Sequence, residues 1–197
     1  DSFCKCDSDG YFDFVSPEVR RTAKKPHRCD ECRGAIAAGP NRMNRVVVIQ
    51  AAAGLGRYLL ANAGPQETPS VVIGYDGRKN SQVFAQDTAE IMSGMGIKAL
   101  LMPRMLPTPV LAFSVRELNA SAGVMVTASH NPAADNGYKV YLGGKDEGSQ
   151  IVSPADALIA EQIDIVAHQT QVGDLSRGAF TFIPESVIKS YISQTSL

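Results

Sequence analysis

Three short apolar runs, Ser70-Val71-Val72-Ile73-Gly74, Ile97-Lys98-Ala99-Leu100-Leu101-Met102 and residues 122–127, alternate with stretches of helical character. That alternation leaves few ways to fold. Apolar runs of this length read as buried strands, the first of them with β-branched content. Between the first two lies a helix over about 82–95, with Asn80 or Ser81 as its cap and Gly96 as its stop. Between the second and third, Pro103, Pro107 and Pro109 mark a stiff loop. Thr108 is a candidate cap there, with Pro109 in the first turn of a helix over 110–118. Upstream, residues 44–63 read as a helix in which Gly54 and Gly56 would permit close packing, ended by Gly64-Pro65. Downstream, residues 138–142 return after Asn136-Gly137 as a strand antiparallel to its partner. Ser153-Pro154 starts a helix to about residue 166, and Pro184 starts another to the end. Strands joined through helices imply βαβ crossovers. The expected class is α/β: a three-layer α/β/α unit with a mixed, mainly parallel sheet, at least three of whose parallel strands fall in residues 43–142.

The third run carries the chemistry. Val124-Met125-Val126 passes into a polar turn, Thr127-Ala128-Ser129-His130-Asn131-Pro132, with a proline stop. A strand feeding a turn puts the turn's side chains at the end of a sheet, where ligand sites of α/β domains lie. Two hydroxyls, an imidazole, an amide and backbone N–H groups suit phosphate: a hydroxyl can carry a phosphoryl group and the others can hold or relay protons. Ser129 is the candidate carrier, against an ordinary turn serine. His130 can shuttle a proton near neutral pH or bond its own loop backbone. Lys139 opens the returning strand, and a hairpin can bring it back beside the loop, facing phosphate or acting as base; a solvated lysine is the alternative. Thr127 supports the loop through its hydroxyl, and Asn131 with Pro132 sets its geometry. Asp76 and Arg78 lie at a neighbouring strand end, at a spacing that allows an ion pair or a phosphate contact.

The loop 127–132, the run Asp135-Asn136-Gly137-Tyr138-Lys139-Val140-Tyr141 and the upstream Gly74-Tyr75-Asp76-Gly77-Arg78 together resemble the α-D-phosphohexomutases, the phosphoglucomutase/phosphomannomutase family. The likeness runs from about Arg33 to the C-terminus. Arg42-Met43-Asn44 and Tyr141-Leu142-Gly143 look most like its phosphopentomutase-like branch. The resemblance implies that Ser129 lends a phosphoryl group to a sugar phosphate and recovers it, interconverting 1-phosphate and 6-phosphate (or 5-phosphate). It implies catalytic roles for Ser129, His130 and Lys139, phosphate contacts from Arg33, Thr127 and Asn131, and Asp76 and Arg78 as structural neighbours. Sugar phosphate and sugar bisphosphate are the implied partners. Mg2+ is the implied cofactor, bound in part through the phosphoserine at Ser129. The family's Asp-x-Asp-x-Asp-Arg metal loop does not occur in this sequence, nor do its later sugar-recognition loops. The chain therefore reads as the first domain of such a mutase, with turnover by the isolated chain not expected.

Residues 1–32 differ in character and are assigned apart from 33–197. All four cysteines lie there, as Cys4-x-Cys6 and Cys29-x-x-Cys32, in a segment without helical or strand period. In a reducing compartment two such pairs read as a tetrahedral Zn2+ site, against a disordered leader with free thiols. Residues 25–32 resemble small phage-type cysteine-pair proteins. Only Arg33-Gly34 remains of the family's usual opening strand and loop, which would leave one sheet edge uncovered. With 197 residues, 44% hydrophobic, 20% charged and a net charge of −1, the composition is that of a globular domain and gives no reason to expect nucleic acid as main partner. No apolar run approaches a membrane span and the start is no signal peptide, so a cytoplasmic location is the default. The second reading, of another class, is a non-enzymatic zinc-binding or nucleic-acid-associated module fused to an inert mutase domain.

Overall fold

A computed structural model of the chain describes residues 34–38 and 42–196. In it the three apolar runs become neighbouring parallel strands. The elements are β1 (Gly34–Ala35), α1 (Arg45–Asn62), β2 (Ser70–Tyr75), α2 (Ser81–Gly94), β3 (Lys98–Leu101), α3 (Thr108–Glu117), β4 (Ala122–Val126), β5 (Asp135–Asn136), β6 (Tyr138–Leu142), β7 (Ser149–Gln150), α4 (Ala155–Gln169), β8 (Thr181–Phe182) and α5 (Glu185–Thr195). Among the described residues one six-stranded sheet runs β7-β6-β4-β2-β3-β8. β4, β2, β3 and β8 are mutually parallel, β6 is antiparallel to β4, and β7 is antiparallel to β6.

Side-chain alternation along the strands divides the core in two. Val71, Ile73 and Tyr75 of β2, with Val124 and Val126 of β4, pack under α1, α2 and α4. Val72 and Met125 point the other way and pack with α3 and α5. Helices on both faces explain why Val71 to Tyr75 and all of β4 are buried rather than alternating with polar residues. The expected three-layer α/β/α arrangement with a mixed sheet is the one found. Against the sheet, α1 lies tightly on α4: a Cβ on Gly54 would sit 2.4 Å from Ile163 Cγ1 and 2.6 Å from its backbone.

Several local expectations are corrected. Asn80 takes the N-cap position of α2 as expected, but its side chain makes no capping hydrogen bond, and Ser81 is the first helical residue. Asn80 takes a left-handed conformation with φ 63, and the Ser81 hydroxyl is engaged by Asp76 Oδ1 at 2.7 Å. Thr108 lies inside α3 rather than capping it, after Pro107 in extended backbone. The cap that forms is Asn44, whose Oδ1 accepts from the Val47 N–H at 3.2 Å. The surviving extended residues of β1 do not join the main sheet at all: Gly34 pairs with Asn136 and Ala35 with Asp135 in a separate antiparallel ladder. The sheet's outer positions are taken by the two-residue strands β7 and β8. Cys4, Cys6, Cys29, Cys32 and Arg33 lie outside the described residues, and with them the expected zinc site and one phosphate contact. No helix among the described residues is long and apolar enough to cross a membrane.

Candidate functional site

The C-terminal ends of β2 and β4 lie side by side, tied by the Asp76 N–H donating to the Val126 carbonyl at 3.2 Å. From β4 the chain turns outward through residues 127–137 and returns as β6. The Thr127 N–H donates to the Gly137 carbonyl at 3.1 Å and closes the base of this loop. Thr127 and Ala128 are buried, and then Ser129 and His130 emerge into solvent. The Thr127 Oγ1 accepts from the Ser129 N–H at 3.0 Å, the side-chain turn that threonine favours at a strand end. The Asn131 N–H donates to the Ala128 carbonyl at 3.0 Å, making the turn tight. That tightness leaves Ser129 at φ 51, a left-handed conformation that a serine adopts only when its surroundings hold it there.

Arg78 lies against this turn. Its Nη2 donates to the carbonyls of Ser129 and Asn131, both at 2.8 Å. Its Nη1 donates to those of Pro132 at 2.7 Å and Asp135 at 3.3 Å. Asp76 steadies the arginine: Oδ2 lies 3.3 Å from Nε, and Oδ1 accepts from the Arg78 backbone N–H at 3.0 Å. Oδ1 also accepts from the Ser81 hydroxyl, whose oxygen accepts from Asn136 Nδ2 at 2.9 Å. Asn136 is fully buried, donates also to the Lys79 carbonyl and accepts from the Gly137 N–H. The hydrogen-bonded chain thus runs from the end of β2 through α2 to the foot of β6. Asn131 Nδ2 bonds Asp135 Oδ2 at 3.2 Å and braces the loop internally.

The structure therefore gathers Thr127, Ser129, His130, Asn131, Asp76 and Arg78 into one corner of the sheet. Of the two readings of Arg78, it shows an ion pair with Asp76 and a clamp on backbone carbonyls. Lys139 lies half-buried on β6, paired in register with Met125 of β4, the strand that feeds the loop. Ser81, Asn136 and Asp135 were not singled out from the sequence as site residues. The Asn136-Gly137 pair, with its turn chemistry, was the signal that could have pointed to Asn136. Opposite Val126, Tyr138 is fully buried; burial pushes its phenol well above the ordinary value, with the Thr88 hydroxyl opposing. It packs behind the site, away from solvent.

No three His, Cys, Asp or Glu side chains converge among the described residues. A Mg2+ shell needs near-octahedral oxygen ligands, and these residues do not by themselves supply one. The corner offers instead an exposed hydroxyl on a rigid turn, with an imidazole beside it and an ammonium on the adjacent strand.

Comparison with known proteins follows this geometry. Residues 25–169 match the family model described as phosphoglucomutase/phosphomannomutase, alpha/beta/alpha domain I. A curated Haemophilus influenzae relative named "Probable phosphomannomutase" is 57% identical over 155 residues, 78% of this chain and 31% of the relative. Human "Phosphopentomutase" is 39% identical over 138 residues, 67% of this chain and 22% of the relative. The crystal structure of a Thermus thermophilus protein described as a phosphomannomutase superposes with TM-score 0.67 at 30% identity, covering 82% of this chain and 33% of that one. The chain spans a third or less of the length of these relatives. Because the family match takes in residues 25–32, the likeness of that stretch to phage-type cysteine-pair proteins gains no support.

Proposed function

Because the chain belongs to the phosphoglucomutase/phosphomannomutase family through its domain I, we propose that it carries the phosphoserine of an enzyme that moves a phosphoryl group from one oxygen of a sugar phosphate to another. In this reading the phosphoryl group rests on Ser129 Oγ. Its P–O bond breaks as a P–O bond forms to a free sugar hydroxyl, whose proton passes to a base and on to the departing serine oxygen. His130 and Lys139 are the candidate bases and phosphate contacts. The sugar, now a bisphosphate, returns its other phosphoryl group to Ser129 Oγ by the reverse exchange. The net result interconverts 1-phosphate with 6-phosphate or 5-phosphate. A sugar bisphosphate is also the reagent that would load a bare Ser129. Relatives named for mannose, ribose and pentose phosphates support the substrate class. Such substrates fit a cytoplasmic enzyme.

The observation that carries this reading is Ser129 itself: exposed, at φ 51, at the end of β4, with its carbonyl held by Arg78. Phosphoryl transfer asks the protein mainly for positioning and charge neutralisation. Positioning of the carrier is present here. Mg2+, when bound, would neutralise charge on the phosphoryl oxygens; the described residues do not build its shell, so the reading assigns the remaining ligands to the part of the longer relatives that the match does not cover.

Incubation with Mg2+ and glucose 1,6-bisphosphate, followed by mass spectrometry, is expected to find phosphate on Ser129 and none in Ser129→Ala. Conversion of glucose 1-phosphate by this chain alone should be essentially absent, since each 1.4 kcal/mol of lost stabilisation is about tenfold in rate and metal and positioning are worth several such steps. Rapid labelling of another serine would sink the assignment of Ser129. Efficient conversion by this chain would sink the dependence on further sequence.

A further inference from the structure

We propose that Arg78 is a positioning residue for phosphoryl transfer, setting the conformation of Ser129 through the backbone rather than by touching substrate. The role rests on the phosphoserine reading given above. A guanidinium has five N–H donors in a fixed planar fork. Here the four terminal ones meet the carbonyls of Ser129, Asn131, Pro132 and Asp135, and Nε faces Asp76 Oδ2 at 3.3 Å. The four terminal donor directions are taken up by backbone carbonyls, Nε is ion-paired with the Asp76 carboxylate, and the side chain is only 15% exposed, so the arginine acts on the loop.

The loop needs that action. Four carbonyl oxygens converging on one point repel each other unless a multidentate donor sits among them. One of the four belongs to Ser129, the residue at φ 51. Left-handed backbone is disfavoured for a residue with a Cβ, so removing the clamp frees Ser129 to relax toward ordinary backbone angles and turns its Oγ away. The peptide plane adds a second effect. With the Ser129 carbonyl drawn to the guanidinium, the trans His130 N–H is directed to the opposite side. Lysine cannot substitute, because three donors on one nitrogen do not match four carbonyls held in a planar fork. Asp76 belongs to the same device: it holds Nε and the Arg78 backbone N–H and links the clamp to Ser81 and, through it, buried Asn136.

The experiment compares this chain with Arg78→Ala, Arg78→Lys and Asp76→Asn. It reads two quantities: the rate of Ser129 phosphorylation by glucose 1,6-bisphosphate with Mg2+, and amide hydrogen exchange across residues 127–137. Circular dichroism and thermal melting identify the variants that fold. Misplacing a reacting group by about an ångström can cost on the order of a hundredfold. Arg78→Ala should therefore label roughly ten- to a hundredfold more slowly, with faster exchange confined to 127–137. Added guanidinium ion should restore part of the rate in Arg78→Ala and none in Arg78→Lys. Asp76→Asn should fall between wild type and Arg78→Ala. Should Arg78→Ala label Ser129 at the wild-type rate, or the loop exchange unchanged, the positioning role is overturned while the phosphoserine reading stands. Should Arg78→Ala not fold, Arg78→Lys and Asp76→Asn decide by the same two readouts. Absence of label on wild-type Ser129 overturns the phosphoserine reading itself, and this role with it.

Discussion

Asp87 is a carboxylate only 1% exposed, and it survives there because two arginines reach it from different parts of the chain. Arg45 Nε and Nη2 donate to it at 2.7 and 2.8 Å, and Arg177 Nη1 donates at 2.7 Å. Desolvation pushes its pKa up, but the hydrogen bonds from Arg45 and Arg177 and then their charges outweigh it and hold the group below its ordinary 3.8. A depressed folded-state pKa stabilises the fold fully above the unfolded value, and that contribution fades as pH falls from about 3.8 through the lower folded value. Breaking a fully buried pair costs about 3–5 kcal/mol. Both arginines are more than a third exposed here, so Asp87→Asn should cost less, about 2 kcal/mol. Urea unfolding of both proteins between about pH 7 and pH 2 checks this: the gap should be constant down to about pH 4 and narrow below it. A gap that widens in acid would show that Asp87 is not held ionised by these arginines. Arg78 uses the same guanidinium chemistry on the opposite kind of partner, neutral backbone carbonyls, and so sets geometry where Arg45 and Arg177 neutralise charge.

At the level of elements, the contact between α1 and α4 depends on one missing methyl group. Gly54 approaches Ile163 so closely that a Cβ would overlap its Cα and N, which belong to the backbone and cannot step aside. Gly56 would meet the end of the Met95 side chain, at 2.7 Å from its sulfur, and methionine can re-orient. Alanine improves intrinsic helix propensity at both places by about 1 kcal/mol. At position 54 that gain is outweighed by overpacking of about 1–3 kcal/mol or more, since α4 must move as a body. Gly54→Ala should therefore lower the melting temperature by several degrees, while Gly56→Ala should leave it nearly unchanged or raise it. Equal melting temperatures for the two variants would contradict the close approach.

For the whole molecule, the segment beyond residue 169 lies outside the stretch matched to domain I yet completes its packing. β8 pairs with Leu100 and Leu101 of β3, and the Ile183 N–H donates to the Leu101 carbonyl at 3.0 Å. Ile183, Val187 and Ile188 are buried, and Tyr191 meets Phe113 of α3 edge to face at 5.4 Å. Arg177 supplies one of the three arginine hydrogen bonds on Asp87. Burying three aliphatic side chains is worth about 5 kcal/mol, as much as the net stability of many domains. A chain ended at residue 169 should therefore melt far lower and, with the β3 edge uncovered, self-associate. Size-exclusion chromatography with light scattering and a thermal melt would show this; a monomer with the melting temperature of the 197-residue chain would mean the segment is dispensable.

The order and kind of the long elements and the place of the loop were legible along the chain. Those depend on short-range signals: apolar runs at residues 70–74, 97–102 and 122–127, Gly and Pro as stops, and a six-residue loop whose chemistry is written in its side chains. Tertiary structure decided the rest. Residues 34–35 carry no local sign that they pair with Asp135–Asn136, and two-residue strands such as β7 and β8 are too short to show a period. Asp87 reads as a surface carboxylate on a helix until Arg45 and Arg177, 42 and 90 residues away, are brought to it. Arg78 allowed an ion pair or a phosphate contact from its spacing to Asp76. Its partners proved to be mainly backbone carbonyls, which every residue possesses, and only the folded path of 129–135 makes four of them converge.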